Sequence, residues 1–317
     1  MTNEFIKAER VVSTALGLLE REVVLPGIVW RDAGGSFRGA KNDTISIRLP
    51  AYATARTRTL RGGAPITLGE RVETKVDVTL TTHIYDAVPI TDEEMTLDIE
   101  DFGRQVLMPG VRAVARGAED LIATAIGGAT FPVGHQLTLD NTNPLVTITR
   151  ARRLLNDASV PQGERVLLCG SAVEEQILNL DQLTKVNESG SDSALRDAVI
   201  GRIRGFLVVV SNAIAPEKAY AFHRTAFVLS LQAPAVPDGA GWGASASANG
   251  IAVRALKDYD FSNVRDRLLT DVFAGANVVL DAGEFDDDGK FIPWDGDGSE
   301  PAGILTRAVE ITYDEGS

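Results

Sequence analysis

The segment TDEEMTLDIEDFGRQVLMPGVRAVARGAEDLIATAI, residues 91–126, decides the fold of this 317-residue chain. Thr91 and Glu94 have the spacing of a capping box, in which each side chain accepts a hydrogen bond from the other residue's backbone N–H at a helix start. The segment predicts a long helix that Gly103 and the Pro109–Gly110 pair kink or divide in two. Its first turns hold more acidic side chains than one helix dipole can use. We therefore expect this stretch to meet a basic partner.

The sequence before this helix predicts an extended two-stranded ribbon with a basic tip. Apolar and polar residues alternate over 45–49 and again from Val72 onward. Residues 48–61 between them hold four arginines and no acidic side chain. Two strands have too little core to stand alone in water, so the ribbon should lie on another surface. Residues 1–42 predict an amphipathic helix on an arm, with the helix ending at Pro26 and Gly27.

The rest of the chain predicts a mixed α/β region followed by returning strands. A second capping box, Ser171 with Glu174, predicts a helix that runs to about residue 180. The apolar run at 206–210 predicts a strand that is buried on both faces. Further elements are expected as a helix near 149–157, strands at 165–169, 219–223, 226–231, 251–257 and 264–280, and a Gly/Ala/Ser-rich loop at 238–250.

Composition excludes several classes of function. The chain has 31 basic and 44 acidic residues and a formal net charge of −13, opposite in sign to a protein that grips nucleic-acid phosphates. Residues 281–317 hold 11 of the acidic side chains and two basic ones. The single cysteine, Cys169, excludes a disulfide within the chain and is expected to be a small buried side chain. No stretch is apolar enough for a membrane span, so we expect a soluble, unexported protein.

No catalytic or cofactor motif stands out. His83, His135 and His223 lack metal-ligand spacing, and we expect structural or surface roles for them. The glycines at 239–243 do not follow the dinucleotide fingerprint, and no P-loop lysine or GxSxG motif occurs. The sequence therefore predicts no enzyme activity, no catalytic residue and no cofactor.

Residues 284–295 come nearest to a metal-binding motif, because they place oxygen-bearing side chains and Gly289 at positions of an EF-hand loop. The first position is Glu where that loop has Asp, the twelfth is Asp where it has Glu, and Pro293 opposes an exiting helix. An acidic surface loop is the simpler interpretation. The alternative is a calcium site built from Glu284, Asp286, Asp288 and Asp295.

The order of elements resembles that of the tailed-bacteriophage major capsid proteins with the Hong Kong 97-type fold. The chain is most similar to the actinobacterial-phage coat-protein subgroup in ALGLLEREVV at 15–24, VIGRIRGFLVVVSN at 199–212 and AFHRT at 221–225. The resemblance implies an α+β fold with an N-terminal arm at 1–42, an extended β-ribbon loop at 43–90, a peripheral domain with a long spine helix at 91–148, an axial α/β domain at 149–249, return strands of the peripheral domain at 250–283, and an acidic C-terminal segment at 284–317.

The same resemblance implies a major capsid protein that self-assembles as hexamers and pentamers into an icosahedral shell around double-stranded DNA. It implies that the chain assembles in the host cytoplasm and is part of the virion. The partners that it implies are other copies of the chain, a portal and a decoration protein. The 42-residue arm is too short for a built-in scaffolding segment, so a separate scaffolding protein is expected. No lysine lies between Asn42 and Thr74, which argues against the covalent cross-link of some relatives. An encapsulin-type compartment is the alternative, and a soluble two-domain hydrolase a remote one.

The sorting of charge along the chain suggests how copies meet. The basic ribbon tip of one copy would contact the acidic start of a neighbour's long helix. Exposed ion pairs contribute at most about 1 kcal/mol each, so only their repetition throughout a shell gives them weight. The alternative is that the arginines only solubilise a loop. The candidate intersubunit residues are Arg56, Arg58 and Arg61 at the tip and Glu94, Asp98 and Asp101 on the helix.

Overall fold

The computed structural model describes residues 23–31, 43–49, 53, 55–62, 65–66, 68, 73–99, 101–180, 201–248, 251–295, 299 and 301–314. The chain divides into two compact units, each assembled from segments that are distant in sequence. The first consists of Met1–Ile45, Val78–Gly128 and Phe227–Asn277, and the second of Ser46–Asp77, Ala129–Ala226 and Val278–Ser317. The amphipathic helix predicted for the arm falls at residues 1–22, outside the described part.

Helices and strands alternate irregularly along the described residues. The helices are α1 Leu25–Ile28, α2 Met108–Gly127, α3 Pro144–Asp157 and α4 Ser171–Leu178, with π-helical segments at Glu94–Asp98 and Gly103–Leu107. Short 3-10 turns lie at Val133–His135 and Arg224–Ala226. The strands are β1 Thr44–Leu49, β2 Thr74–Thr79, β3 Thr82–Thr91, β4 Gln136–Thr138, β5 Arg165–Cys169, β6 Arg202–Ile203, β7 Phe206–Val210, β8 Lys218–His223, β9 Phe227–Gln232, β10 Trp242–Ala248, β11 Ile251–Asp260, β12 Arg265–Val278, β13 Asp281–Phe285, β14 Phe291–Pro293, β15 Gly303–Ile304 and β16 Ala308–Thr312.

The first unit packs the long helix α2 against a five-stranded sheet. Strands β10, β11, β12 and β3 follow one another in antiparallel order, and β9 also pairs with β12. Two glycines allow α2 to lie directly on β3. A Cβ atom at Gly117 would come within 2.7 Å of the Ile84 side chain, and one at Gly110 within 2.9 Å of the Asp86 carboxylate. Helix and sheet therefore approach more closely than larger side chains would permit.

The second unit centres on a six-stranded mixed sheet of order β4-β16-β8-β5-β7-β6, beside a small sheet of order β14-β13-β15. Strand β16, close to the C-terminus, runs parallel to β4 and antiparallel to β8. Its Val309 and Ile311 are buried in one core with Leu155 of α3 and Ile177 of α4. The acidic C-terminal segment, for which the sequence indicated no regular element, thus supplies an interior strand of this sheet.

The capping box at the start of the long helical stretch is confirmed. The Thr91 N–H donates to Glu94 Oε2 at 2.9 Å, and the Glu94 N–H donates to Thr91 Oγ1 at 3.2 Å. The helical stretch is divided in two as predicted, but the break lies at Ile99, whose φ of −92° and ψ of 108° are extended, and not at Gly103 or at Pro109 and Gly110. Pro109 lies just after the junction between the π-helical segment Gly103–Leu107 and α2, and Leu107 keeps helical φ and ψ values of −70° and −43° there.

The second capping box is wrong. Gly170 is the N-cap of α4, and its carbonyl accepts the Glu174 N–H at 3.0 Å, while no side chain caps this helix. A Cβ at Gly170 would overlap the Ala215 carbonyl oxygen and lie 2.6 Å from that of Pro216. Glycine is favoured at this position because two backbone carbonyls approach it closely. Capping patterns in the sequence do not indicate such an approach.

Three further predictions are wrong in detail. The loop expected at 238–250 contains β10, which pairs with β11 from Trp242 opposite Lys257 onward. The helix end expected at Pro26 and Gly27 is instead the short helical turn α1. Strand β7 is present, but Leu207 is 39% exposed, so one face of this strand is not fully covered.

We predict that Gly170→Ala lowers the free energy of unfolding by about 1–3 kcal/mol, because two backbone carbonyls would have to move away from the added methyl group. Urea denaturation of the purified chain, followed by circular dichroism, measures the change. Gly163→Ala is the matched control, since a Cβ there meets no atom within 4 Å. Equal stability of the two variants would contradict the packing argument.

Candidate intersubunit surfaces

Strands β1 and β2 form the predicted two-stranded ribbon. The hydroxyls of Thr44 and Thr79 lie 2.8 Å apart, and Ser46 donates a hydrogen bond to the Asp77 carboxylate. This bond and the neighbouring Lys75 hold the pKa of Asp77 below its ordinary value. The second arm, expected to continue past residue 80, ends at Thr79, and the following strand β3 belongs to the sheet of the first unit.

The ribbon tip, defined as the described residues among 55–68, is held by hydrogen bonds to its backbone carbonyls. Arg56 Nη1 donates to the Leu68 carbonyl at 3.0 Å, and the Gly62 N–H donates to the Thr59 carbonyl at 3.1 Å. Arg61 in that turn has a left-handed φ of 69°. The three predicted contact residues of the tip, Arg56, Arg58 and Arg61, are all exposed.

The ribbon tip also presents aliphatic side chains that the sequence interpretation missed. Leu60 is 88% exposed, Ile66 is 74% exposed and Leu68 is 90% exposed. Large aliphatic residues concentrated at one exposed end are typical of a surface that becomes buried in a complex. The sequence contains these residues but does not indicate their role, because three aliphatic residues scattered among Arg, Gly and Pro show no periodicity.

The acidic segment, residues 92–101, lies in the first unit with its described carboxylates exposed. Glu94 is engaged by the capping box, and Asp101 Oδ1 accepts the Arg104 N–H at 3.2 Å. Asp98 is exposed beside Leu97, which is 78% exposed. The structure thus places Glu94, Asp98 and Asp101 on one short stretch together with an apolar side chain. Binding of a neighbour's ribbon tip to this stretch stays a prediction.

The calcium candidate has the form of a β-hairpin turn between β13 and β14. Asp286 Oδ1 accepts the N–H groups of Asp288 at 3.1 Å and Lys290 at 2.7 Å, so this carboxylate closes the turn. Within the part of the chain that the structure describes, no group of three His, Cys, Asp or Glu side chains could hold a metal ion. Glu284, Asp286, Asp288 and Asp295 are therefore not brought together as a metal site, because strand pairing separates them.

The potential nucleophile Cys169 is fully buried at the end of β5, as the sequence predicted. Burial raises the pKa of its thiol to about 12, with a smaller contribution from Glu174. The side chain therefore stays a neutral thiol at physiological pH and packs as a small apolar group.

Two buried histidines contact the residues at the start of β16. His135 lies 3.0 Å, through Nδ1, from the Ala308 carbonyl oxygen, and burial lowers its pKa. The backbone N–H of His223 donates to the Arg307 carbonyl at 3.0 Å. Burial lowers the pKa of His223 as well, and the Arg307 guanidinium adds to the effect. Both imidazoles therefore favour the neutral form within the folded unit.

Arg307 also connects β16 to the small sheet of the second unit. Its Nε donates to Asp281 Oδ2 at 2.8 Å, and its Nη2 forms a second bond to the same carboxylate. A two-point contact between guanidinium and carboxylate has defined geometry as well as charge attraction. The two histidines and this ion pair therefore contact the start of the interior strand β16.

The comparisons with known proteins agree with the fold. A family model described as phage capsid protein matches residues 73–285. Among solved structures, the chain is similar to that of Mycobacterium phage Che8 (TM-score 0.62, 19% identity, 91% of this chain and 90% of that chain). It is also similar to the capsid of the cyanophage P-SCSP1u (0.60, 11%, 99% and 90%) and to the virus-like particle from Pyrococcus furiosus (0.51, 12%, 86% and 94%). No curated protein matches. The predicted α+β capsid fold is confirmed.

We predict that acid destabilises the second unit through His135 and His223. The unfolded chain binds protons at these groups near pH 6.5, whereas the lowered pKa values delay binding in the folded state. The free energy of unfolding that the two histidines contribute is therefore fully present above about pH 6.5. It is lost as the pH drops through their pKa values in the folded state, by at most about 1.4 kcal/mol per pH unit for each histidine.

Urea denaturation between about pH 7.5 and pH 5 measures this slope. In the variant His135→Asn one of the two titrating groups is removed, so its stability should depend less steeply on pH than that of the unchanged chain. Identical slopes for the two proteins would show that His135 has an ordinary pKa in the folded state.

Proposed function

The chain belongs to the phage capsid protein family, and we propose that its copies assemble as hexamers and pentamers into an icosahedral shell around double-stranded DNA. It is a major capsid protein and a component of the virion. The family match spans about two thirds of the chain. The observation that carries the proposed assembly is the ribbon tip, whose aliphatic and basic side chains are exposed together.

The proposed domain assignment follows the two compact units. The peripheral domain, expected at 91–148 and 250–283, is assigned to the first unit, with α2 as its spine helix and β11 and β12 as its return strands. This unit also takes in β9 and β10 from the expected axial span, whereas residues 129–148 fall in the second unit. The axial domain corresponds to the six-stranded sheet of the second unit and its helices. Their role is structural rather than catalytic, since a shell protein acts by presenting surfaces to its neighbours.

In the proposed contact, the ribbon tip of one copy lies on the acidic segment of the next. Full burial of an aliphatic side chain contributes about 1.5–3 kcal/mol, whereas an exposed ion pair contributes at most about 1 kcal/mol. Leu60, Ile66 and Leu68 therefore supply most of the binding energy. Arg56, Arg58 and Arg61 orient the tip against Glu94, Asp98 and Asp101, because charge complementarity fixes register more than affinity.

Assembly is proposed to take place in the host cytoplasm with a separate scaffolding protein and a portal, and a decoration protein is a further proposed partner. The interior is proposed to enclose DNA without gripping it, in keeping with a formal net charge of −13. With no lysine between Asn42 and Thr74, the shell is proposed to be held by noncovalent contacts.

Electron microscopy of particles from cells that express the chain, alone and with the neighbouring phage genes, tests the proposed function. Icosahedral shells are expected, and they should contain DNA when packaging components are present. Uniform shells from the purified chain alone would overturn the separate scaffolding protein. Particles that hold only cargo protein would favour the encapsulin alternative, and the absence of any shell or capsomer would refute both.

We predict that Arg56→Ala, Arg58→Ala and Arg61→Ala together reduce the yield of correctly formed shells. Since each pair contributes at most about 1 kcal/mol, the three changes should weaken each tip contact by at most about 3 kcal/mol. Sedimentation and thermal melting of the particles measure the effect. The triple Lys variant at the same positions, which keeps the charges, is the control and should assemble better than the Ala variant.

We predict a larger loss for Leu60→Ser with Leu68→Ser, because burial of these two side chains contributes more than the ion pairs do. Particle yield and melting temperature, compared with those of the triple Ala variant, measure the ranking. Val133→Ser is the control, since Val133 is 93% exposed but lies outside the ribbon tip. Unaltered shells from the double Ser variant would show that the tip is a solvated loop.

A further inference from the structure

We propose that the turn between β11 and β12 inserts into a groove on the sheet of a second copy of this chain. The apolar knob is defined as Phe261 and Val264 of that turn, and the groove lies on the outer face of the same sheet, opposite α2. The inference rests on the proposed function, since it concerns a second contact between copies in addition to the ribbon tip.

The knob is exposed to a degree that is unusual for its residue types. Phe261 is 85% exposed and Val264 is 59% exposed. Val264 has a φ of 51°, a left-handed conformation that is costly for a β-branched residue. Such strain persists where the surroundings enforce it, and it occurs preferentially at binding sites.

Local contacts hold the turn in one shape. The Asp260 carboxylate accepts the Ser262 N–H at 3.0 Å and the Asn263 side-chain amide at 2.8 Å. The Phe261 ring lies edge-on to Tyr259, with ring centroids 5.0 Å apart, and the Tyr259 hydroxyl donates to Asp92 at 2.8 Å. A turn that is ordered before binding loses little conformational entropy when it docks.

The groove has the size and chemistry that such a knob requires. Its volume is about 440 Å³, and the apolar side chains that face it are Ala87, Pro89, Leu256 and Leu269. One phenylalanine ring with a neighbouring valine fits a groove of this size. Aromatic side chains seated in apolar pockets are the residues that most often dominate protein interfaces.

The knob and the groove of one chain lie on different sides of the sheet. Asp86 of β3 faces α2, because a Cβ at Gly110 would contact its carboxylate. Successive strand residues point to opposite faces, so Ala87, with Leu269 and Leu256 across in register, faces away from α2. Tyr259, three residues beyond Leu256, faces the helix side, and the Phe261 ring contacts Tyr259. The knob therefore requires a groove on another copy.

The charged residues around the groove are paired within their own copy. Arg267 Nη2 lies 3.1 Å from Asp258 Oδ2, and Arg265 Nε lies 3.7 Å from Asp260 Oδ2. The apolar side chains therefore supply the docking contact. A knob-to-groove contact joins different patches of the two copies, and such contacts close into rings when the rotation between copies permits it.

An aromatic side chain buries about 150–250 Å², far below the roughly 1,200 Å² of a stable interface. The contact should form within a shell and not produce a free dimer.

Hydroxyl-radical footprinting of the unchanged chain tests the contact without any substitution. Oxidation of Phe261 should fall by about tenfold between unassembled chain and purified shells, as expected for the desolvated centre of an interface. Unchanged oxidation of Phe261 in intact shells would overturn the inference and leave the proposed function standing. If no shells form, the proposed function fails, and the inference fails with it.

Cysteine cross-linking identifies the partner surface. Shells of the double variant Phe261→Cys with Ala87→Cys should give disulfide-linked multimers on a non-reducing gel, and both cysteines should be required. Phe261→Cys with Val133→Cys is the control and should stay monomeric on the gel, and the native Cys169 is buried. Protection of Phe261 without any cross-link to residue 87 would place the knob elsewhere and overturn the groove assignment.

Discussion

The aliphatic side chains of the ribbon tip have no core of their own chain to enter, and this constraint governs the rest of the structure. Leu60, Ile66 and Leu68 lie at the end of a two-stranded ribbon whose buried residues, Leu49, Val76 and Val78, all lie within its strands. In the proposed assembly, a surface of another copy buries the tip. The free energy of apolar burial is therefore divided between the folding of one chain and its association with the next.

The two compact units supply the rigid surfaces that such an association needs. In the first unit, Gly110 and Gly117 bring α2 onto β3 without intervening side chains. In the second, β16 is fixed by pairing on both sides and by the Arg307–Asp281 contact. Stiff units with exposed apolar projections lose less entropy on binding than flexible ones would. Weak contacts between neighbours are then sufficient to build an ordered array.

Local patterns in the sequence predicted the features that neighbouring residues determine. The capping box at Thr91 and the alternation in β1 depend on contacts within a few residues, and both are present in the structure. Strand β10 lies where the sequence predicts a loop, because its Gly, Ala and Ser residues have low strand propensity and form a strand only through pairing with β11. Gly170 and β16 were missed for the same reason, since contacts distant in sequence determine them.

The candidate site shows the same division. Charge segregation pointed to Arg56, Arg58 and Arg61 and to the acidic segment, because charge can be read along a sequence. The exposure of Leu60, Leu68 and Phe261 could not be read in this way, because exposure depends on which residues the folded chain leaves uncovered. Apolar residues that remain exposed in the structure are therefore the features that the sequence interpretation lacked.

The distribution of charge is compatible with the proposal that this acidic chain encloses an acidic genome. Several carboxylates of the C-terminal stretch are engaged within the fold, such as Asp281 with Arg307, Glu310 with Lys218, and Asp286 within its hairpin. Those of the acidic segment are exposed in the first unit. The net charge of −13 therefore combines carboxylates that stabilise the fold with others available to a neighbouring copy. A shell that is proposed to release its DNA benefits from weak affinity for phosphate. The excess of carboxylates would therefore favour both the contact between copies and the release of DNA.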